Sequence, residues 1–595
     1  MSLTTRLRAA APVAVTAALA LAPAASADTT PVFTLQGKGI WNAAQPLIGG
    51  NVYTPPVVEG GWSAFAPIDD RTYWTVSDRG PNGQPTVGGA ARRTFLTPGF
   101  TPTIYKVAVA DSGSLSVLQR IPLHLKTGAI DPARAATGGP ANEITGLPQI
   151  STVAQTAASG LPADAGAYKQ TAARDEIPYA ADGVTLIGTD PYGIDSESIV
   201  VDPRDGSFWI GDEYRPSLVH VAADGTVLNR IIPAGVTVPG ADDGVVATQG
   251  LLPRAFAYRK QNRGMEGGTL TKNGRTLFGM IQSSIEPPAG KGDGRTLRLV
   301  RFDVSDSLHP VLTGEFVYRL DVPAPGSGIT QADLSNSDIY ALDATHLLVD
   351  EHDNVTSVPG AGQKRVIAID LAGATDISGD ATQNGENPTL ESTNAAGVTP
   401  VSKTLWLDLN QFGYDHDKPE GIGLFPNGDL AVQDDNDFGF NQANDPQAAG
   451  AGDPPFKVTA SGKTTELQRF KVTNIVGGGV GGTVPATLSL AVGPNASFGA
   501  FTPGVAKDYT ASTTATVIST AGDAALTVSD PGHLANGTFS LPSPLQVSFS
   551  KATWTAPVSN DPVTITFNQH IGATDALRTG AYSKTLTFTL STTTP

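Results

Sequence analysis

The stretch that decides the fold runs Ile194-Asp195-Ser196-Glu197-Ser198-Ile199 and then, after a short interval, Phe208-Trp209-Ile210-Gly211-Asp212-Glu213. Between its two apolar runs stands Asp205-Gly206, a pair typical of the tight turn of a β-hairpin. The pattern therefore predicts two short paired strands. Acidic residues stand near the start of the first strand and at the end of the second.

Four other stretches repeat this pattern, over residues 61–80, 262–282, 337–351 and 418–435. A further apolar run follows four of the five repeats, over residues 105–107, 218–221, 299–303 and 365–370. A four-stranded propeller blade takes about 40–50 residues, and the repeats are spaced by roughly one blade or a small multiple of it. The sequence therefore predicts an all-β fold, a β-propeller of six or seven blades. The alternative is an array of β-sandwiches.

The beginning of the chain has the order of a secretory signal. Arg6 and Arg8 precede an apolar run over residues 9–22, and Ala25-Ser26-Ala27 follows it. We expect residues 1–27 to be removed, since the apolar run is too short to serve well as the alternative, a membrane anchor. Because no later stretch approaches a spanning length, we expect a secreted or envelope-associated protein without a membrane span.

The composition changes near residue 477. We assign residues 28–476 to the propeller and the Gly-rich residues 477–482 to a flexible linker. Residues 483–595 have few charges and many short Thr, Val and Leu strands, which predicts a small immunoglobulin-like β-sandwich. No titratable cluster stands out in it, so we expect an accessory module that contacts the cell wall or a polymer.

Net charge and cysteine content narrow the function. The formal charge is −17, which disfavours nucleic acid as a partner. Phosphorylated substrates would also be repelled unless a bound cation reversed the local sign. The chain has no Cys, which excludes disulfides, thiol nucleophiles and Cys zinc sites.

Carboxylates recur at matching places in the repeats. If the repeats are in register, one set shares the start of the inner strand and a second shares the end of the next strand. The first set is Glu197, Glu266, Asp338 and Glu420, and the second is Asp78, Asp212, Asp350 and Asp434. Because inner strands line the pore of a propeller, both sets would converge at one opening and hold a divalent metal, Ca²⁺ before Mg²⁺ or Mn²⁺. Taken singly, each acidic cluster is more typical of a solvated turn than of a metal ligand.

Basic residues stand beside these acids, and Arg79 and Arg263 are the candidates for binding an anionic ester. The alternative is local charge pairing. The chain lacks a G-x-S-x-G elbow, an H-E-x-x-H pair and a P-loop. His352 and His416 lie in acidic loops, and Ser63, Ser77 and Ser196 lie in the repeats without an evident base.

Four motifs in order carry a resemblance to a known family. They are Trp74-Thr75-Val76-Ser77-Asp78-Arg79-Gly80, Asp195-Ser196-Glu197-Ser198-Ile199, Asn262-Arg263-Gly264-Met265-Glu266-Gly267 and Lys418-Pro419-Glu420-Gly421-Ile422. Over roughly residues 35–475 the chain resembles the phytase-like family (esterase-like activity of phytase). In the second motif, Ser196 stands where Pro is commoner.

The resemblance implies a propeller that hydrolyses esters or phosphate esters and is related to calcium-dependent propeller phytases. In such an enzyme we expect the repeat carboxylates to be ligands or water-activating bases, and Arg79 and Arg263 to bind the anion. These carboxylates are Glu197, Glu266, Glu420, Asp212 and Asp434. The substrate is expected to be a small ester or phosphate ester. One alternative is a lactonase of the gluconolactonase type; another is a binding propeller whose ions only hold the blades together.

Overall fold

A computed structural model gives the architecture of two compact units, Met1–Gly478 and Gly479–Pro595. It describes residues 26–29, 33–35, 59–87, 90–111, 113–151, 176–287, 289–355, 362–379, 390–414, 416–444, 456–473, 488–520 and 523–591. Nearly all regular structure in these ranges is β. The few helical turns are Arg134–Thr137, Arg254–Tyr258, Gln331–Asp333, Leu409–Phe412 and Asp437–Gly439.

In the first unit, five sheets follow one another along the described chain, and we name them blades A to E. Blade A is Ala66–Asp69, Thr72–Val76, Thr103–Val109 and Ser114–Pro122. Blade B is Ser196–Val201, Phe208–Asp212, Ser217–Val221 and Val227–Pro233, with Ala247–Leu252 added in parallel. Blade C is Met265–Leu270, Thr276–Ile281, Thr296–Asp303 and Val311–Arg319. Blade D is Leu334–Ala341, His346–Asp353, Lys364–Asp370 and Ser402–Asp408. Blade E is Pro419–Leu424, Leu430–Asp434 and Glu466–Thr473, completed by Ser26–Thr29 and Phe33–Leu35.

The first strands of the five blades contact one another in the order A, B, C, D, E and again A. Close packing favours glycine at two of these contacts. A Cβ on Gly267 would lie 3.0 Å from Ile339, and one on Gly421 would lie 2.6 Å from the Ala64 backbone. Antiparallel blades arranged around one axis by their first strands form a β-propeller, so the all-β prediction is confirmed.

The five sequence repeats are the inner hairpins of these five blades, and the four predicted third strands are also found. The predicted count of six or seven blades is not confirmed, because the described residues contain five such sheets. Between blades A and B the chain instead forms short elements. These are the turn Arg134–Thr137 and a small sheet of Asn82–Gly83, Arg93–Phe95 and Pro178–Ala180. Two hairpins, Thr86–Val87 with Ala90–Ala91 and Phe440–Asn444 with Phe456–Ala460, lie outside the blades.

The start of the chain closes the ring. Ser26–Thr29 and Phe33–Leu35 both pair with the third strand of blade E, and Phe33–Leu35 also pairs with Ser114 and Leu115 of blade A. Sequence patterns did not indicate this closure. Ser26 and Ala27 belong to the predicted signal, whose other residues lie outside the described ranges, as does the predicted linker 477–482.

The second unit has two main sheets. One is Leu488–Val492, Lys507–Ser519, Val558–Ile571 and Gln546–Phe549; the other is Thr553–Trp554, Ala524–Val528 and Phe588–Ser591. A small hairpin joins Ala535–Asn536 to Phe539–Ser540. Val517, Leu526, Trp554 and Ile565 form a shared core. Within the described ranges, no helix of either unit is long and apolar enough to cross a bilayer.

Candidate functional site

A β-bulge recurs at the start of the inner strand in blades B to E. The register between the first two strands shifts across Ser196 and Ser198, Met265 and Gly267, and Pro419 and Gly421. The extra residue in these three bulges is Glu197, Glu266 and Glu420, and a bulge redirects the side chain of its extra residue. In blade D the shift spans Asn336 to Ile339 and includes Ser337 and Asp338.

The three bulge glutamates converge as the sequence predicts. One carboxylate oxygen each of Glu197, Glu266 and Glu420 lies within 4.8 Å of the other two, and all three residues are buried. We call these three residues the carboxylate cluster. Glu197 is shared with a second group of the same kind, formed with Asp195 and Glu213. Residues more than 200 positions apart in the chain are thus held together by the ring of blades.

Burial and mutual repulsion oppose ionisation of this cluster. Burial raises the pKa of Glu197 well above its usual range, and the charges of Glu266, Asp195, Glu213 and Glu420 add to the effect. Burial, the nearby Glu213 and Glu420 charges and a hydrogen bond to Glu213 raise the pKa of Glu266 in the same way. Such a group is stable only when protons or cations neutralise it.

Arg79 lies beside the second group, and both terminal nitrogens of its guanidinium form ion pairs. Its Nη1 is 2.8 Å from Glu176, and its Nη2 is 2.8 Å from Glu213 and 2.5 Å from Asp195. Its backbone N–H also donates to Asp195. The local charge pairing considered from the sequence therefore describes the geometry of Arg79 well, and anion binding by this residue stays a prediction.

Arg263 and Lys418 differ in how they are occupied. Lys418 Nζ is 3.1 Å from Glu420 and 2.8 Å from Asp435. Arg263 is half-buried, and across the described ranges no hydrogen bond or ion pair joins its side chain to another residue. Its charge nevertheless acts on Glu266, whose pKa it lowers against the larger effect of burial. Of the two predicted anion-binding arginines, Arg263 is the one with an available guanidinium.

Two of the other predicted metal ligands are occupied by protein donors. Asp212 accepts from the backbone of Asp195 and Tyr214 and lies 3.3 Å from Arg230. Asp338 accepts from Ile339 N at 2.8 Å and from Ile422 N at 2.9 Å, and the second bond joins blade D to blade E. Their contacts are those of structural carboxylates, although burial raises the pKa of both.

The remaining three predicted ligands lie near the cluster but outside it. Asp78 accepts a hydrogen bond from Gly80 N. Its pKa is raised mainly by burial and secondly by the charge of Asp435. Asp434 is 3.3 Å from His416. Asp350 is fully buried, and no hydrogen bond reaches either of its carboxylate oxygens from the described residues. Burial and then the Glu420 charge raise the pKa of Asp350.

The sequence singled out His352 only as a histidine in an acidic loop, and it did not indicate Asp195, Glu213 or Ser337 as members of this end of the propeller. Ser337 Oγ and His352 Nε2 are 2.9 Å apart. Burial lowers the pKa of His352 to about 3, so its ring is neutral near pH 7. The available signal was positional: Ser337 stands next to Asp338 in the bulge of blade D, where blades B, C and E each carry a single glutamate.

Strained backbone marks the same end. Asn262, Asp437 and Phe438 adopt positive φ angles of 54°, 47° and 56°. Asn262 precedes Glu266 by four residues, and the other two follow Asp434 closely. Such conformations in residues other than glycine cost energy and cluster at functional sites.

Comparison with curated proteins finds a relative described as an uncharacterized secreted protein of Arthroderma benhamiae. It is 25% identical over 266 residues, which are 41% of this chain and 50% of the relative. The chain therefore spans about half the length of the curated relative it matches.

Comparison with solved structures finds the periplasmic gluconolactonase PpgL of Pseudomonas aeruginosa, at 12% identity and a TM-score of 0.27 over 75% of this chain and 100% of that one. A gluconolactonase of Xanthomonas campestris is 10% identical, with a TM-score of 0.23 over 76% and 99% of the two chains. At such low scores these similarities carry no argument about this chain.

A family model gives the decisive match. The model described as "Phytase-like: Esterase-like activity of phytase" matches residues 58–438, which is more than half of the chain and includes all three residues of the carboxylate cluster. The chain belongs to the phytase-like (esterase-like activity of phytase) family.

Proposed function

We propose that this chain is an exported hydrolase of small phosphate or carboxylic esters, acting with a divalent cation at the carboxylate end of the propeller. The observation that carries the proposal is the convergence of Glu197, Glu266 and Glu420 in a buried cluster. Membership of the phytase-like family supports hydrolysis as the reaction class.

The residues present fit a hard divalent cation. The cluster offers only carboxylate oxygen atoms, which suit Ca²⁺ first and Mg²⁺ or Mn²⁺ second. Glu266 Oε2 is buried, and no described residue donates a hydrogen bond to it. A bound cation would supply Lewis acidity toward an ester oxygen and lower the pKa of a water molecule.

The chain's own residues have distinct parts in this proposal. Glu197, Glu266 and Glu420 would hold the cation with one carboxylate oxygen each, and a second oxygen of the cluster that stays free of the cation would accept the proton of the attacking water. Arg263 would bind and orient the anionic or polar group of the ester, because its guanidinium forms no hydrogen bond or ion pair with the described residues. Arg79 would hold Asp195 and Glu213 in place through its three ion pairs.

Export and the second unit complete the proposal. The signal-like residues 1–27 and the secreted description of the fungal relative both support an extracellular or envelope location. We further propose that the second unit is an immunoglobulin-like accessory module that contacts a cell-wall polymer. Its two sheets with a shared core support this assignment.

The test is an assay of the purified protein after treatment with a chelator. Ca²⁺, Mg²⁺ and Mn²⁺ are added in turn, with p-nitrophenyl phosphate, phytate, p-nitrophenyl acetate and gluconolactone as substrates. We expect cation-dependent hydrolysis of an ester, lowered at least about 100-fold by Glu266→Gln and by Glu420→Gln. Glu286→Gln is the matched control, since Glu286 is a buried glutamate outside the cluster.

Each other result has a definite meaning. Turnover of gluconolactone alone would favour the lactonase alternative. Cation binding without turnover of any substrate would favour a binding propeller. Ester hydrolysis that is indifferent to chelators and to both cluster variants would remove the cation from the mechanism.

A further inference from the structure

We infer that Ser337 and His352 form a nucleophile and general-base pair that hydrolyses carboxylic esters through an acyl-serine intermediate. This inference rests on the proposed function, since it names the substrate class and the attacking group at the same end of the propeller. It adds a covalent route that the sequence motifs gave no reason to expect.

The hydrogen bonds of the pair have the required direction. His352 Nδ1 lies 2.9 Å from the carbonyl oxygen of Asp353, which can only accept, so Nδ1 carries the hydrogen. In the neutral ring Nε2 is then the acceptor, and the Ser337 hydroxyl donates to it across 2.9 Å. A serine hydroxyl that donates to an imidazole, with the opposite nitrogen fixed by a third group, is the arrangement that activates a serine.

The position of Ser337 in the fold places it beside the carboxylate cluster. The first strand of blade D lies between those of blades C and E, which carry Glu266 and Glu420. Ser337 occupies the bulge of that strand, at the level where its neighbours present their glutamates. The preceding residue, Asn336, is tied to blade C by bonds from its side chain to Ile281 O and from its backbone to Gln282 O.

The surroundings of the pair contain polar atoms in need of partners. Six buried polar atoms at this end of blades C and D have no hydrogen-bond partner among the described residues. They are Asn262 Oδ1, Glu266 Oε2, Gln282 Oε1, Ser283 Oγ, Ser335 Oγ and Asn336 Oδ1. Buried polar atoms normally have hydrogen-bond partners. Their concentration on two adjacent blades points to a bound polar molecule at this place.

A candidate for stabilising the oxyanion is also present. The charge of Arg263 acts on both Glu266 and His352, so its guanidinium lies within electrostatic reach of the cluster and the pair. A cationic donor near the nucleophile is what a tetrahedral oxyanion requires.

The proposed reaction balances with water as the only co-reactant. Ser337 Oγ bonds to the ester carbonyl carbon while its proton passes to His352 Nε2. The carbon–oxygen bond to the alcohol then breaks, and the alcohol leaves with that proton. Water next attacks the acyl carbon and gives a proton to His352. The bond to Ser337 breaks, Oγ regains the proton, and the carboxylic acid is released.

The first experiment uses p-nitrophenyl acetate and a fluorophosphonate probe on the purified full chain. We expect a burst of p-nitrophenol, a fluorophosphonate adduct located on Ser337 by mass spectrometry, and loss of both in Ser337→Ala. His352→Asn should slow labelling at least about 100-fold. Ser207→Ala is the matched control, because Ser207 is a buried serine in blade B that also lies 3.0 Å from a histidine nitrogen, His220 Nε2, and it should behave as the unchanged protein.

A second pair of variants keeps the test independent of folding and of turnover. Because the chain has no Cys, Ser337→Cys and Ser335→Cys each carry a single thiol. We expect iodoacetamide to alkylate Ser337→Cys at least about 10-fold faster, since His352 would favour its thiolate. Equal rates in the two variants would contradict the inference.

Failure of the inference is distinguishable from failure of the proposed function. Cation-dependent ester hydrolysis that Ser337→Ala leaves intact would overturn the acyl-serine route and leave the proposed function standing. Absence of hydrolysis of every ester would overturn the proposed function, and absence of the Ser337 adduct as well would overturn the inference. An adduct on Ser337 that depends on His352 would support the activated pair in either case.

Discussion

Two buried clusters of acidic residues in this propeller have opposite electrostatic character. In blade C, Arg298 is fully buried between Glu315 and Glu391, with nitrogen–oxygen distances of 2.8 Å to each. The carboxylate cluster is also buried but has three acids, and within the described residues its one ion pair joins Lys418 Nζ to Glu420 at 3.1 Å.

The difference separates a structural site from a ligand site. A buried charge is tolerated when an opposite charge and hydrogen bonds satisfy it, as they do around Arg298. The carboxylate cluster retains one unsatisfied oxygen, Glu266 Oε2, and burial and like charges raise the pKa values of Glu197 and Glu266 well above their usual range. The group around Arg298 also leaves Glu315 Oε2 without a partner, but both of its carboxylates pair with the arginine. An uncompensated group of this kind is expected where a ligand completes the site.

The largest effect is expected from removing the positive charge that neutralises the buried acids of blade C. Arg298→Met leaves Glu315 and Glu391 buried without their partner, and we expect the free energy of unfolding to fall by about 3–5 kcal/mol. Urea denaturation followed by circular dichroism measures it. Arg301→Met, on the partly exposed side of the same strand, is the control and should have a much smaller effect. Equal effects would mean that the triad is not a special source of stability.

The next test neutralises the carboxylate cluster by adding a cation. Ca²⁺ at about 100 times its dissociation constant should raise the free energy of unfolding by about 2.7 kcal/mol, because it binds only the folded state. Thermal melts with and without a chelator measure the gain. The triple variant Glu197→Gln, Glu266→Gln and Glu420→Gln should show none. A gain that persists in this variant would place the cation elsewhere.

A smaller effect, of opposite sign to that of Arg298→Met, is expected from Glu266→Gln in the presence of a chelator. Removing one of several mutually repelling carboxylates should raise the free energy of unfolding by about 1 kcal/mol. The same urea titration measures it. Destabilisation by this substitution in the absence of cations would show that the cluster is satisfied by the protein alone.

The smallest test uses pH. Burial raises the pKa of Glu315 from 4.5 to about 7, against the lowering effect of Arg298. The folded state therefore holds this proton more tightly than the unfolded state. The contribution to stability is complete below about pH 4.5 and is lost as the pH rises to about 7. Glu315→Gln should reduce the loss of stability between pH 5 and about 7 relative to the unchanged chain. If stability falls equally with pH in the variant and in the unchanged chain, the raised pKa of Glu315 is contradicted.

Much of the fold was predictable because each blade repeats one local pattern. The hairpins around Asp205-Gly206, Asn273-Gly274 and Asn427-Gly428 follow from turn chemistry and alternating apolar residues. The blade count was not predictable in the same way, because the spacing of repeats does not distinguish a further blade from an insertion such as the hairpin of Phe440–Asn444 and Phe456–Ala460. Closure by Phe33–Leu35 depends on contacts with blades A and E at opposite ends of the unit's sequence.

The candidate site was predictable where it follows the repeat. Glu197, Glu266 and Glu420 share one position in three blades, and equivalent positions meet around the axis. Asp212 and Asp338 share the same sequence signal, but their oxygen atoms are taken by backbone and side-chain donors that only the folded chain supplies. Ser337 was missed because its partner His352 comes from the adjacent strand, at a spacing that no short motif records.

The recurring bulge has a consequence for how relatives of this chain can diverge. It is a feature of the backbone ladder, so the residue that it presents can change without rebuilding the blade. Blade D already makes such a change, because its bulge holds Ser337 and Asp338 where three other blades present one glutamate. A few such exchanges would be enough to turn one scaffold into a family of enzymes with unrelated substrates.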